Sequence, residues 1–169
     1  HELTMRRMRE PRKPVEIPSA AAPVHQVVLK GAEADLSKLP FHVQHELDGG
    51  VYISSAIDYA VDPETGRSNV GCRRLMLRGR HHMRANLTAQ SDLKTIYKKA
   101  VDRGERLNVT FVVGSHPIDF LAATLRLPVD DIDLIATLRG EPVPLVRGVT
   151  NDIRVPADAE MAIEGYFDE

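Results

Sequence analysis

Cysteine is nearly absent. Cys72 stands alone among 169 residues, so no intrachain disulfide can form and a reducing compartment fits the chain best. Also missing is any apolar run approaching the length of a bilayer span, and the first residues are too charged for a secretory signal. Cytoplasmic residence, with no membrane partner, is the default expectation from these absences. Neither sign of charge is in excess: Lys and Arg total 22, Asp and Glu 24, for a net charge of -2. That balance supplies no field for steering towards nucleic acid, which is not expected as a partner. The exception is local. Arg6, Arg7, Arg9, Arg12 and Lys13 crowd the N-terminus beside Pro11 and Pro14, and read as a solvated arm or severed linker. Familiar catalytic fingerprints are lacking as well. There is no P-loop and no GxGxxG, and Gly114-Ser115-His116 lacks the flanks of a hydrolase elbow.

What is there is a globular composition, 43% hydrophobic and 27% charged, long enough for one domain with a real core. Residues 1–24 read as an extended lead-in segment and residues 25–169 as the folded domain. Strands are expected over 25–31, 51–61, 68–87 (bent near Gly79), 107–113, 143–155 and 161–166. Helical stretches are expected over 92–103, 118–125 and 131–138, with a single helical turn at 35–40. Asp62-Pro63-Glu64-Thr65-Gly66 supplies turn chemistry between the second and third strands. Strands linked by hairpins and single helices, without regular βα alternation, argue for an antiparallel barrel with added helices.

One strand is unusual. At a period of two, Val70, Cys72, Arg74 and Met76 share a face, and an arginine among apolar neighbours must be paired. Either it forms a structural ion pair with one of the many carboxylates, or it holds an anion inside a barrel mouth, with Gly71 letting a ligand approach the backbone. His81 and His82 are adjacent, face opposite ways on a strand and read as exposed polar residues. His116, before Pro117, reads as a helix cap.

Five segments in order carry a resemblance. Asp62-Pro63-Glu64-Thr65-Gly66 leads to Asn69-Val70-Gly71-Cys72-Arg73-Arg74; then come Gly114-Ser115-His116-Pro117 with Leu121-Ala122-Ala123-Thr124, and Leu138-Arg139-Gly140-Glu141-Pro142-Val143. Val155-Pro156-Ala157-Asp158-Ala159-Glu160 with Ile163-Glu164-Gly165-Tyr166 completes the set. Together they resemble the UbiD family of decarboxylases that use prenylated flavin mononucleotide, from about Val27 to Glu169.

The resemblance implies a mainly β, α+β fold, a split β-barrel of the flavin-reductase, FMN-binding type with a few short helices. It implies prenylated FMN and a divalent metal, Mn2+ or Mg2+, as cofactors, with K+ a further candidate. Asn69 matches a metal-binding asparagine and Arg74 the arginine of a catalytic Glu-Arg-Glu network. Gly71, Cys72, Arg73, Thr124 and Leu125 fall on cofactor-contacting positions. Gln90 falls where a metal-binding histidine is common and Asp131 where a metal-binding glutamate is usual, with Asp133 as a rival; both are departures that still offer oxygen to a hard cation. Ala60 replaces a common cofactor-contacting threonine.

The implied reaction is reversible, non-oxidative decarboxylation of an aromatic or α,β-unsaturated carboxylic acid. The implied partners are that small acid, a flavin prenyltransferase supplying the cofactor, and further copies of the full-length chain. The family's two completing acidic residues follow the EGY segment, so the 169-residue chain is expected to be inactive alone. The alternatives from other classes are a non-catalytic flavin-binding module and a structural subunit of a decarboxylase complex.

Overall fold

The computed structural model describes residues 2–87 and 90–168. In chain order its elements are α1 (Glu2–Arg9), β1 (Val15–Glu16), β2 (Tyr52–Val61), β3 (Ser68–Leu77), β4 (Met83–Ala85) and α2 (Asp92–Asp102). They continue with β5 (Leu107–Val113), α3 (Pro117–Ala122), α4 (Asp131–Arg139), β6 (Pro144–Arg147), β7 (Arg154–Pro156) and β8 (Met161–Phe167). The main sheet runs β4-β3-β2-β5-β8 with every neighbour antiparallel. It curls into a half-barrel dressed by short helices, the α+β split barrel the sequence implied. Among the described residues no helix is long and apolar enough to cross a membrane.

The long β2–β3 hairpin is the spine. Its turn closes because Asp62 accepts from the Glu64 N–H at 2.9 Å, while Lys99 of α2 reaches Asp62 and Glu64 at 2.8 Å each. Alternation along β2 then sorts the two faces. Ile57 and Tyr59 enter one core with Val70, the apolar side chains of α4, and Leu145, Val146 and Val155. On the opposite face, Ile53, Ala56, Leu75, Val109 and Phe111 form a second cluster, and Ala60 packs on Leu93, Ile96 and Ala100 of α2. α4 is buried at Ile132 and from Leu134 to Arg139, and ends at Gly140, whose φ of +79° suits glycine. A side chain there would also strike Arg7, 2.7 Å from the position of a Cβ.

Several expectations need correcting. Residues 2–9 are helical, and α1 docks on α4, with Arg7 donating to the Leu138 carbonyl and Lys13 paired with Asp133. β1 pairs in parallel with β6. The N-terminal segment is therefore neither an extended arm nor a free linker; Arg7 and Lys13 find partners on the domain. Residues 25–31 form no strand: a 3-10 turn at Pro23–His25 leads into irregular chain, and Val27, Val28 and Leu29 are exposed. β propensity without a neighbouring strand to pair with does not make a strand. Residues 143–155 hold two short strands, β6 and β7, which leave the main sheet and form a separate one with β1. The bend at Gly79 is a hairpin, since β4 folds back on Leu75–Leu77.

Candidate functional site

The short pairing of β4 shapes the site. β4 reaches only residues 75–77, so residues 68–73 of β3 have no strand on their outer side among the described residues. The N-terminus of α4 takes that place. Asp130 caps its helix by accepting from Ile132 and Asp133, and its other oxygen accepts from the Ser68 N–H at 2.8 Å. Asp131 accepts from the Val70 N–H at 2.9 Å. Two aspartates thus stand in for a missing strand, since edge amides need acceptors. Between this clasp and α2 lies a cleft of about 150 Å³ lined by Asn69, Gly71, Arg73, Thr124, Leu125 and Asp131, among others.

The cleft is electrostatically loaded. Burial, reinforced by neighbouring Asp130 and Asp92, pushes the Asp131 carboxyl up to about 6, against the pull of the Val70 N–H and of Arg67. A cation would relieve that crowding. Asn69 is buried, and its side-chain amide takes no partner among the described residues. An amide oxygen and a carboxylate facing one cleft are hard donors of the kind Mg2+ and Mn2+ take, so the residues present fit such an ion. No group of three or more His, Cys, Asp and Glu with metal-binding geometry occurs among the described residues.

The residues expected around the cleft differ in where they point. Asp133 is turned to Lys13 and does not line the cleft, which favours Asp131 over its rival. Gln90 is exposed and outside the lining; Ser91, capping α2, and Asp92 reach the cleft. Cys72 points the other way, its Sγ 3.8 Å from the Phe120 carbonyl oxygen, so its side chain is not in the cleft either. Burial pushes its thiol up, as expected of an inert cysteine.

The charge requiring a partner on β3 is Arg73, not Arg74. Arg73 Nε donates to Asp58 Oδ1 at 3.0 Å, and Nη1 donates to the Asn86 carbonyl at 3.2 Å. Asp58 is fully buried, and burial lifts its carboxyl to about 6 even though Arg73 pulls it down. Gly71 has its role here: a Cβ on it would lie 3.2 and 3.3 Å from the two Asp58 oxygens. The space beside Gly71 is filled by this carboxylate, where the sequence suggested a ligand.

Arg74 lies on the face shared with Val70, Cys72 and Met76, as period two implied, but at its open end. It is exposed and makes no ion pair among the described residues. Its surroundings are a second cavity of about 660 Å³, shared with Asp48, Tyr52, Ser54, Met76 and Arg84. The pairing slips opposite it: Ile53 faces Leu75 but Ala56 faces Arg73, so Ser54 and Ser55 together oppose Arg74. Such a bulge twists a strand and re-aims a side chain, and bulges concentrate beside active sites. The cavity beside Arg74 and the polar cleft at Asn69 lie about 17 Å apart along β3, at about 3.3 Å per residue, and their residues fall on opposite faces of the strand.

A buried lock steadies the helices. Arg139 donates to Asp119 through Nε at 2.7 Å and Nη2 at 2.5 Å, and to Asp158 through Nη1 at 2.8 Å. Against the cost of burial, these partners hold its guanidinium charged, above its ordinary range. The lock ties α3, which leads into Thr124 and Leu125, to α4, which carries Asp131. His116 accepts from the Ile118 N–H at 3.1 Å, the capping role read from the sequence.

The family described as the 3-octaprenyl-4-hydroxybenzoate carboxy-lyase Rift-related domain, UbiD, matches residues 15–169. An anhydromevalonate phosphate decarboxylase of Methanosarcina mazei is 36% identical over 138 residues, 81% of this chain and 32% of that protein. Its namesake in Methanothermobacter thermautotrophicus is 32% identical over 167 residues, 98% of this chain and 38% of that protein. An evolved dimeric form of the UbiD-class enzyme HmfF from Pelotomaculum thermopropionicum, solved in complex with prFMN, superposes with a TM-score of 0.89 at 33% identity. That match covers 98% of this chain and 39% of the other. The chain therefore spans about a third of the length of these relatives. The family match and the superposed fold agree: this chain belongs to the UbiD family.

Proposed function

We propose that this chain is the cofactor-binding part of a carboxy-lyase that removes CO2 reversibly from an aromatic or α,β-unsaturated acid, using prenylated FMN. The observation carrying the reading is the pair of cavities along β3: Asn69 and Asp131 in one, Arg74 in the other. The prFMN bound by the related HmfF supports the cofactor assignment.

In this reading Asn69 and Asp131 hold a divalent ion, Mn2+ or Mg2+, that neutralises the cofactor phosphate, with Asp92 adding negative charge nearby. K+ is a secondary candidate. Thr124 and Leu125, positioned by α3 and its Asp119–Arg139 lock, form the opposite wall. Arg74, aimed by the bulge and free of an ion pair, receives the substrate carboxylate. When bound, prenylated FMN supplies the electron sink for the pair left as CO2 departs. Protonation needs an acid beside Arg74. Asp48 shares that cavity but is engaged in its own turn, accepting from the His45 N–H at 3.0 Å, so turnover calls for a further carboxyl group from outside the described residues. A flavin prenyltransferase supplies the cofactor, and the full-length enzyme assembles with further copies of itself, as the dimeric HmfF form suggests.

Titration of the chain with FMN, followed by quenching of flavin emission with and without Mn2+, tests the reading. Binding should occur and tighten with Mn2+. Asn69→Ala and Asp131→Ala should remove the Mn2+ dependence, while Gln90→Ala should leave it in place. Failure of the wild-type chain to bind FMN at all would falsify the proposal.

A further inference from the structure

We infer that Asp58 is a positioning residue: buried beneath Gly71, it holds the Arg73 guanidinium at the cleft so that its free N–H groups take the anionic end of the bound nucleotide. The inference rests on the flavin reading above. It adds a residue that touches no ligand and acts through another.

The geometry carries it. Asp58 and Arg73 are diagonal neighbours on one face, since Asp58 faces Gly71 and Ala56 faces Arg73 across the hairpin. Asp58 has no exposed surface, and the side chain of Arg73 keeps 14% of its own. Two guanidinium nitrogens are engaged, Nε by Asp58 Oδ1 and Nη1 by the Asn86 carbonyl. The fork has five N–H groups in fixed directions, so fixing two of its nitrogens fixes the rest. Arg73 lines the same cleft as Asn69 and Asp131.

The cost of the arrangement also argues for a role. Asp58 Oδ2 is buried with no hydrogen-bond partner among the described residues. A carboxylate there is no stabilising device, because a buried ion pair seldom outperforms apolar packing. Its site is nevertheless closely fitted: the carboxylate fills the volume that any side chain at position 71 would need. An arginine left mobile at this edge would serve only as a point charge, as a lysine does. An arginine held at two nitrogens presents its remaining N–H groups as a fixed planar fork suited to phosphate oxygens.

Comparing FMN with riboflavin, which lacks the phosphate, tests this. Affinities are measured by fluorescence quenching for wild type, Asp58→Asn, Arg73→Lys and the double variant, with circular dichroism and melting as checks on folding. The wild type should prefer FMN. Asp58→Asn and Arg73→Lys should each cut that preference about tenfold, the loss expected for a misaimed charged hydrogen bond, and leave riboflavin affinity unchanged. The double variant should lose no more than either single one, because both changes break one device. Undiminished FMN preference in a folded Asp58→Asn overturns the inference alone, as do equal losses for both flavins or additive losses in the double variant. Should Asp58→Asn not fold, Arg73→Lys, which keeps its charge, decides in its place: an undiminished preference there overturns the inference too. A wild-type chain that binds neither flavin overturns the proposed function, and this inference with it.

Discussion

Asp58 carries a proton more readily in the folded chain than out of it. Its folded carboxyl sits at about 6, whereas an unfolded aspartate titrates near ~3.9. Its contribution to stability is therefore full below ~4 and is lost as pH rises through about 6. Burial is the main cause; Arg73 opposes it without reversing it, and Asp131 adds to it. Urea midpoints at pH 4.5 and 7.5 should show Asp58→Asn gaining on the wild type at the higher pH. Equal gaps at both would mean that the carboxyl is not strained. The partnership of Asp58 with Arg73 is invisible in the sequence, because it depends on cross-strand register. Arg74 stands out there by its place on the strand and Asn69 only through the resemblance, while the same periodicity assigns to Arg74 the pairing that belongs to its neighbour. Gln90 stands exposed and off the cleft lining, whereas Ser91 just before α2 and Asp92 at its start reach it, because the path of the chain there is not a local property of the sequence.

Among elements, α4 is the most legible, with an aspartate before it, apolar residues within and Gly140 after it. Its buried arginine is legible only as part of the Leu138-Arg139-Gly140 motif. The structure shows why a charge belongs there: Arg139 joins two helices and the turn at Asp158. Replacing it with methionine should cost about 3 kcal/mol or more in urea unfolding, because Asp119 is left buried without a counter-charge. Adding Asp119→Asn should recover part of the loss, and a loss below about 1 kcal/mol for the single variant would show the lock to be incidental. Asp130→Ala should cost about 1–2 kcal/mol through its cap alone. It should also speed hydrogen exchange at the Ser68 amide, which loss of a simple cap would leave unchanged. Residues 25–31 and 143–155, where structure and expectation part, are short β-prone runs. Local pattern does not say which sheet, if any, will take them.

For the whole molecule, the antiparallel half-barrel is legible from hairpin spacing, whereas the small mixed sheet β1-β6-β7 is not, since a parallel pair between residues 15 and 144 leaves no local trace. The main sheet has β2 at its centre and β8 at an edge that no described strand covers. Exchange measurements should find the amides of β2 the slowest, and the outward half of those in β8 among the fastest. Uniform protection across both would mean that another copy pairs along β8. The extra serine in β2 has a consequence of its own. Register is intact on both sides of it, with Ile53 on Leu75 and Ala56 on Arg73, so excising Ser55 would leave a regular ladder and every core contact in place. A one-codon deletion would thus straighten the strand under Arg74 alone, yielding a well-folded chain whose guanidinium has lost its aim and separating the part of this sequence that builds a barrel from the part that equips it.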